Sequence, residues 1–428
     1  MDYDLGINIA GHINGDFGLA QGVRSSIKAI EAAGIPFVLN NLHILNASNS
    51  DTTYNNFSVN NPYPINFIHT NPDWLNRGIN QGLFPIIKSE YFRNRYNIGF
   101  WVWELPKFPS EWEFAFDYFD EIWTASGYCS DSISMVSPIP VLRMAHSLDL
   151  SVPLLGRESL GFPKDKFIFL FVFDFHSSFE RKNPLAIIKA FKHAFGTNNE
   201  DVLLLIKFYN SQSYPHQREQ LQVASAHYSS IKLIDKHLTK DEINALVYNC
   251  DCYISLHRAE GFGYTMAEAM YYGKPVIATA YSSNLDFMSV NNSFLVKYDL
   301  VTTSKDYGCY PQGSIWANPD INHAAQLMQQ VVNNPQEAKK VGNRAAKEIK
   351  YLLSPVTLGE RMRNRLEQIE KMKNSPNSKT PDHILFTNID NQSYQSLAWM
   401  KTTKKIYREL KQSQIKLQET QSKLNIKK

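Results

Sequence analysis

The sequence is poor in cysteine, has no long apolar run and carries almost no net charge, and each shortage narrows what the chain can do. Its 428 residues include four cysteines, Cys129, Cys250, Cys252 and Cys309. These are too few and too scattered for a disulfide framework. No Cys-x-x-Cys pair or His-rich neighbour points to zinc, and no Asp-x-Asp metal motif stands out. Cys250 and Cys252 lie two apart in a strand pattern and read as buried reduced thiols. No apolar run approaches the ~20 residues that span a bilayer. The opening Met1-Asp2-Tyr3-Asp4 is acidic, without the basic-then-apolar form of a signal peptide. A chain that folds in a reducing cytoplasm is expected. Lys and Arg together number 44 against 41 Asp and Glu. A balance this close gives no case for a nucleic-acid partner. Gly and Pro, at 20 each, sit near average usage, which excludes collagen-like and low-complexity classes.

What the chain does hold is apolar and aromatic material. Hydrophobic residues make up 43% and aromatics 13%, enough for sizeable cores. At about 100–200 residues per domain, two domains are expected. The charge is unevenly spread. Lys401–Lys428 holds nine basic and two acidic residues, a tail of +7 on a remainder of −4. The polar stretch Asn374–Pro381 reads as a linker before it. Leu410, Leu417 and Leu424 recur every seven residues, but their companions Tyr407, Gln414 and Gln421 are mostly polar. A solvated helix, self-association through a coiled coil, and contact with an anionic membrane surface all stay open for this tail.

Short apolar runs alternate with helical patterns from Leu5 onward, and a second such series begins near residue 160. Phe167–Phe173 is almost wholly apolar, as a central parallel strand should be. The alternation predicts an α/β fold of two Rossmann-like domains. The expected organisation is a first domain over 1–155, a second over 156–355, a helix over 356–372, and the linker and tail over 373–428.

The most informative stretch is Cys250–Thr279. A strand runs into Arg258-Ala259-Glu260-Gly261-Phe262-Gly263-Tyr264-Thr265, then a helix, then the strand Val276–Thr279. Glycine lets backbone approach a ligand closely. The helix opening at Tyr264 or Thr265 aims free N–H groups and its positive dipole end at that ligand, which suits an anion such as phosphate. Glu260 before the helix and Glu268 within it would accept hydrogen bonds from hydroxyls. Phosphate donors between two hydroxyl acceptors spell a nucleotide or nucleotide-sugar.

Three more segments carry chemistry. Arg181 and Lys182 stand between the strand Phe167–Phe173 and a helix, where two cations are unfavourable without an anion. Gly15 and Gly18 follow the first strand in a Gly-x3-Gly-x2-Gly spacing that is not the dinucleotide fingerprint. Glu104 and Trp103 end an apolar strand pattern, and His69 ends another. Trp101, Trp103 and Trp112 could stack on a sugar ring, with core packing the expectation for at least two of them.

The segment Glu260-Gly-Phe-Gly-Tyr-Thr-Met-Ala-Glu268, followed by Gly273-Lys-Pro-Val-Ile-Ala, resembles the E-x7-E signature of retaining glycosyltransferases of family 4. The resemblance covers roughly 1–372 and implies the GT-B fold, two Rossmann-like domains facing a central cleft. It implies a nucleotide-sugar donor in the second domain and an acceptor hydroxyl, on a glycan, lipid-linked or protein acceptor, in the first. Glu268 would hold the donor ribose, Glu260 the donor sugar, and the backbone of Gly261, Phe262, Gly263, Tyr264 and Thr265 would meet the diphosphate. Gly15 and Gly18 would close on that diphosphate from the first domain, and no cofactor or metal is expected. The implied reaction moves a hexose with retention at the anomeric carbon, in the cytoplasm or peripherally at the inner membrane face. Two departures stand out. Ser177 occupies the place of an arginine that usually precedes Lys182 by five residues, and Glu104 or Trp103 the place of a histidine near the sugar. They leave open a catalytically inactive GT-B scaffold of a glycosylation complex, or a nucleotide-sugar epimerase.

Overall fold

The computed structural model describes residues 5–44, 49–197 and 199–373. The linker and basic tail, with their coiled-coil and membrane alternatives, lie outside the described residues. Two six-stranded sheets organise the chain. The first holds β1 (Ile7–Gly11), β2 (Phe37–Asn41), β3 (Ile65–His69), β4 (Tyr96–Trp101), β5 (Glu121–Thr124) and β6 (Val141–Arg143), in the order β2-β1-β3-β4-β5-β6. The second holds β7 (Phe167–Asp174), β8 (Val202–Tyr209), β9 (Ile231–Asp235), β10 (Cys252–Ser255), β11 (Val276–Thr279) and β12 (Phe294–Val296), in the order β12-β11-β10-β7-β8-β9. Every pairing in both sheets is parallel. These are two Rossmann-like domains. Both faces of each sheet are covered, so runs such as Phe167–Phe173 have no polar alternation to show.

Strand order fixes where ligands can sit. In the first sheet the chain leaves β1 for β2 on one side and returns to β3 on the other. In the second it leaves β7 for β8 and β9, then returns to β10. A crevice opens at such a switch point, outside the carboxyl ends of the strands. The segments after β1 and β3 therefore flank one crevice, and those after β7 and β10 flank the other.

Register in the first sheet is pinned by buried amides. Asn8, Asn66 and Asn97 stand opposite one another on β1, β3 and β4. Asn8 Nδ2 donates to Asn66 Oδ1 at 2.9 Å, and Asn66 Nδ2 to Asn97 Oδ1 at 2.8 Å. All three are fully buried. A slip of one residue would leave these groups unpaired in the core, at about 1–3 kcal/mol each.

Two features exceed the sequence pattern. A hairpin of β13 (Tyr298–Thr302) and β14 (Ile315–Pro319) follows β12, its strands antiparallel. Its residues are mostly half-buried or exposed, so no apolar run announces it. The long helix Pro355–Lys373 lies on the first domain's helix Gly18–Ala32, where a Cβ at Gly359 would overlap Ala29 O. Arg365 of the long helix ion-pairs with the fully buried Glu121 on β5. That carboxylate also accepts from Trp123 Nε1 at 2.7 Å and Tyr96 OH at 3.0 Å. Glu121→Ala strands the buried indole N–H and the guanidinium together. It is expected to cost about 3–5 kcal/mol, read as a lower urea midpoint, and an unchanged midpoint would deny the clamp.

Cys129, Cys250 and Cys252 are buried free thiols, and Cys309 is exposed and free. No helix among the described residues is long and apolar enough to cross a membrane.

Candidate functional site

At the switch point of the second sheet, the segment after β7 bends through Ser178 and Asn183, both in the left-handed region. Between them lies the single helical turn Phe179–Lys182, which turns two cations toward the segment after β10. Lys182 Nζ lies 2.6 Å from Glu260 Oε1, and Arg181 Nη1 lies 3.2 Å from Glu260 Oε2. Arg181 also donates to Ala259 O at 2.8 Å and Ser177 O at 2.9 Å. The guanidinium thus reaches the backbone of Ser177, the residue standing where the resemblance expects arginine.

Glu104, just past β4 in the first domain, completes the cluster. Its Oε1 lies 3.7 Å from Arg181 Nη2. Its Oε2 accepts from Tyr310 OH at 3.2 Å. Four residues singled out from the sequence, Glu104, Arg181, Lys182 and Glu260, therefore meet between the domains although 156 positions separate the first from the last. Burial alone would raise the Glu260 carboxyl, but the Lys182 ammonium and the Arg181 guanidinium outweigh it and hold it well below the usual carboxylate range. Glu260 is therefore an anion, and the two cations are already neutralised within the protein.

Glu268 lies on the helix Tyr264–Tyr271, whose N-cap Gly263 sits at φ 94°. The left-handed turn there needs glycine. Glu268 is almost wholly buried, and its Oε1 accepts from Lys240 Nζ at 2.6 Å and from Gln21 Nε2 at 3.0 Å. Gln21 belongs to the first domain's helix Gly18–Ala32, so both carboxylates of the signature are buried where the two domains meet. Neither Lys240 nor Gln21 was singled out by the sequence, whose pattern does not bring residues 21 and 268 together.

The loop between the two acids is held by the first domain. Gly261 O accepts from Ser126 Oγ at 3.0 Å and Cys129 Sγ at 3.3 Å, and a Cβ there would overlap Val102. Phe262 and Tyr264 pack on His146, with ring centroids 5.0 Å away in each case. His146 in turn stacks parallel to His69 at 5.7 Å. His69 is fully buried at the end of β3 and also packs on Phe100 at 4.1 Å. Burial pushes His146 down to about 3 and His69 well below its ordinary value. Both rings are neutral, so the column from β3 to the helix start is an uncharged packing element. Thr265 follows Tyr264 in that helix's first turn.

Gly15 and Gly18 bracket the turn after β1. Arg24 Nη1 donates to Ile13 O at 2.6 Å and Gly15 O at 2.8 Å and holds that turn. A Cβ at Gly15 would strike Phe17, whereas open space surrounds Gly18. Trp103 is 2% exposed; its Nε1 donates to Lys107 O at 2.7 Å, and its ring packs against Trp112 and Tyr310. Among the described residues, no three His, Cys, Asp or Glu side chains gather as a metal ion would need.

Residues 156–348 match the family model described as "Glycosyl transferases group 1". Among solved structures, the chain is similar to sucrose-phosphate synthase (tll1590) from Thermosynechococcus elongatus. That match has 16% identity and a TM-score of 0.62, and covers 86% of this chain and 99% of the other. Anabaena Alr3699/HepE, solved in complex with UDP and glucose, matches at 14% identity and a TM-score of 0.58, covering 85% of this chain and all of its own. A glycosyltransferase from Rickettsia africae ESF-5 matches at 14% identity and a TM-score of 0.58, over 87% of this chain and all of its own. No curated protein sequence matches the chain. The fold is GT-B: two Rossmann-like domains that face each other across the crevice holding Glu260 and Glu268.

Proposed function

We propose that the protein is a retaining hexosyltransferase that moves a sugar from a nucleotide-sugar to an acceptor hydroxyl. The observation that carries this reading is the single constellation at the second sheet's switch point. Two adjacent cations face Glu260, and Glu268 lies eight residues on, along a helix that starts at the same crevice. The family match over 156–348 supports it.

In this reading the donor diphosphate lies against Arg181, Lys182 and the start of the helix Tyr264–Tyr271, which neutralise its growing charge as the sugar departs. No metal is needed for that task. Lys182 exchanges its carboxylate partner for phosphate, and Glu260 then accepts hydrogen bonds from sugar hydroxyls. Glu268 exchanges Lys240 and Gln21 for the ribose hydroxyls. The acceptor hydroxyl approaches on the face the diphosphate leaves, and the leaving phosphate takes its proton. No covalent nucleophile is required. The acceptor belongs to the first domain, beside Glu104. The competing reading, an inactive scaffold, rests on Ser177 and on the absence of a histidine near Glu104, and nucleoside diphosphate release from a donor would exclude it.

Calorimetric titration with UDP-, GDP- and ADP-sugars tests the reading, and binding of none of them below the millimolar range would sink it. Glu268→Ala is expected to weaken donor binding roughly 100-fold, since charged hydrogen bonds are worth about 1.5–3 kcal/mol each. Lys240 keeps 48% of its side chain exposed and can turn to water, so this variant should keep its fold. Full-strength binding by it would remove the ribose contact.

A further inference from the structure

The loop 303–314 between β13 and β14 sends one side chain back into the domain interface. Tyr310 is 4% exposed. Its hydroxyl donates to Glu104 Oε2 at 3.2 Å. Its ring lies 6.0 Å from the Arg181 guanidinium carbon and 5.6 Å from the Trp103 ring. Three elements distant in sequence, namely the end of β4, the turn after β7 and this loop, converge on one phenol. The loop is built to hold it. Tyr307 N and Tyr310 N each donate to the other residue's carbonyl, at 2.8 and 3.2 Å. Thr303 Oγ1 donates to Pro311 O at 2.8 Å, and Gln312 N to Asp306 Oδ1 at 2.7 Å. Gly308 and Gly313 adopt positive φ and permit the turns.

The phenol's position has a chemical consequence. Glu104 takes one oxygen to Tyr310 and aims the other at Arg181, which itself spans to Glu260. Without the phenol, the Glu104 carboxylate is free to rotate and to draw Arg181 away from Glu260. A buried tyrosine that donates to a carboxylate and covers a guanidinium fixes both without adding charge.

We propose that Tyr310 is a positioning residue for the transfer reaction: through its hydrogen bond to Glu104 it fixes the Glu104–Arg181–Glu260 alignment that the departing diphosphate meets. This rests on the transferase reading above, and it makes the β13–β14 loop a part of the site rather than a surface decoration.

The experiment uses the full chain with UDP-glucose, GDP-mannose and ADP-glucose, following calorimetric binding and nucleoside diphosphate release. Tyr310→Phe keeps the ring and removes only the hydroxyl. It is expected to lower kcat about 10- to 100-fold, the usual cost of small misplacement, with donor Kd within about twofold of the parent. Glu104→Gln and the double variant Tyr310→Phe/Glu104→Gln complete a cycle. If Tyr310 acts through Glu104, the double variant loses no more than Glu104→Gln alone. An unchanged kcat in Tyr310→Phe, or losses that multiply in the double variant, overturns the inference while leaving the transferase reading standing. Should the parent protein bind none of the three donors, the transferase reading fails, and the positioning role fails with it.

Discussion

Glu260→Gln is expected to destabilise the ligand-free protein sharply and to make it unusually responsive to nucleoside diphosphate. In the parent chain one buried carboxylate pairs with two cations, Lys182 at 2.6 Å and Arg181 at 3.2 Å. The side chains of Arg181, Glu260 and Lys182 are 5, 9 and 17% exposed, so water screens little of this. Removing the anion leaves Arg181 with Glu104, at 3.7 Å, as its remaining carboxylate beside two backbone carbonyls, and Lys182 without its carboxylate. Breaking such a pair from one side costs about 3–5 kcal/mol, which lowers the melting temperature by on the order of 10 °C. UDP or GDP then supplies the missing negative charge. The rise in melting temperature on adding either should exceed the parent's rise, because the parent must first part Glu260 from Lys182. Equal rises in parent and variant would show that the diphosphate does not meet these cations.

The second large effect is acid lability. Four histidines are buried among the described residues: His12, His69, His146 and His257. Burial lowers all four, His12 to about 4 and His146 to about 3. His12 is further held by Leu42 O at 2.9 Å and Thr70 Oγ1 at 3.0 Å, and His257 by Ser255 Oγ at 3.0 Å. The folded value of each lies below the unfolded one, so the unfolded chain binds more protons on acidification. The stability from their burial is complete above about pH 6.5 and is lost as pH falls toward the folded values. His12 and His146 each contribute a slope of roughly 1.4 kcal/mol per pH unit in that window. By pH 5.5 these two together remove on the order of 3 kcal/mol, a large fraction of a domain's stability, and His69 and His257 act in the same direction. Urea midpoints should be level above pH 7 and fall steeply below 6.5. A midpoint that stays level from pH 7 to 5 would contradict the neutral assignment. His146→Phe, which preserves the stack on Tyr264 and His69, should reduce the slope by about one histidine's share.

The sequence was legible wherever a run of one physical character met a change of backbone state. Phe167–Phe173 could be read as a central strand because both faces of a parallel sheet are buried. The segment around Glu260 and Glu268 could be read as a strand–helix–strand unit because a glycine-bearing turn joins a short apolar run to a helical pattern that ends at Gly273 before the next apolar run. Strand ends were less legible. Apolar residues continue through Trp103, yet β4 stops at Trp101, where Val102 N and O turn to the Asn71 side chain at 2.9 and 3.0 Å. The hairpin β13–β14 was illegible for another reason. Its strands pack through scattered residues such as Trp316 and Ala317 while their neighbours face water, so no period emerges.

The chain's own order of residues determined the two α/β domains, the helix start after Glu260 and the adjacency of Arg181 and Lys182, because these depend on neighbours within one turn or one strand. Only the tertiary structure decided that Glu104 meets Arg181, that Gln21 and Lys240 occupy Glu268, that Tyr310 reaches back from a hairpin, and that His69 and His146 form a neutral column. Those contacts join segments that lie far apart along the chain. Local preference carries no information about such partners, since the crossing of two sheets and the burial between them select which side chains come within reach.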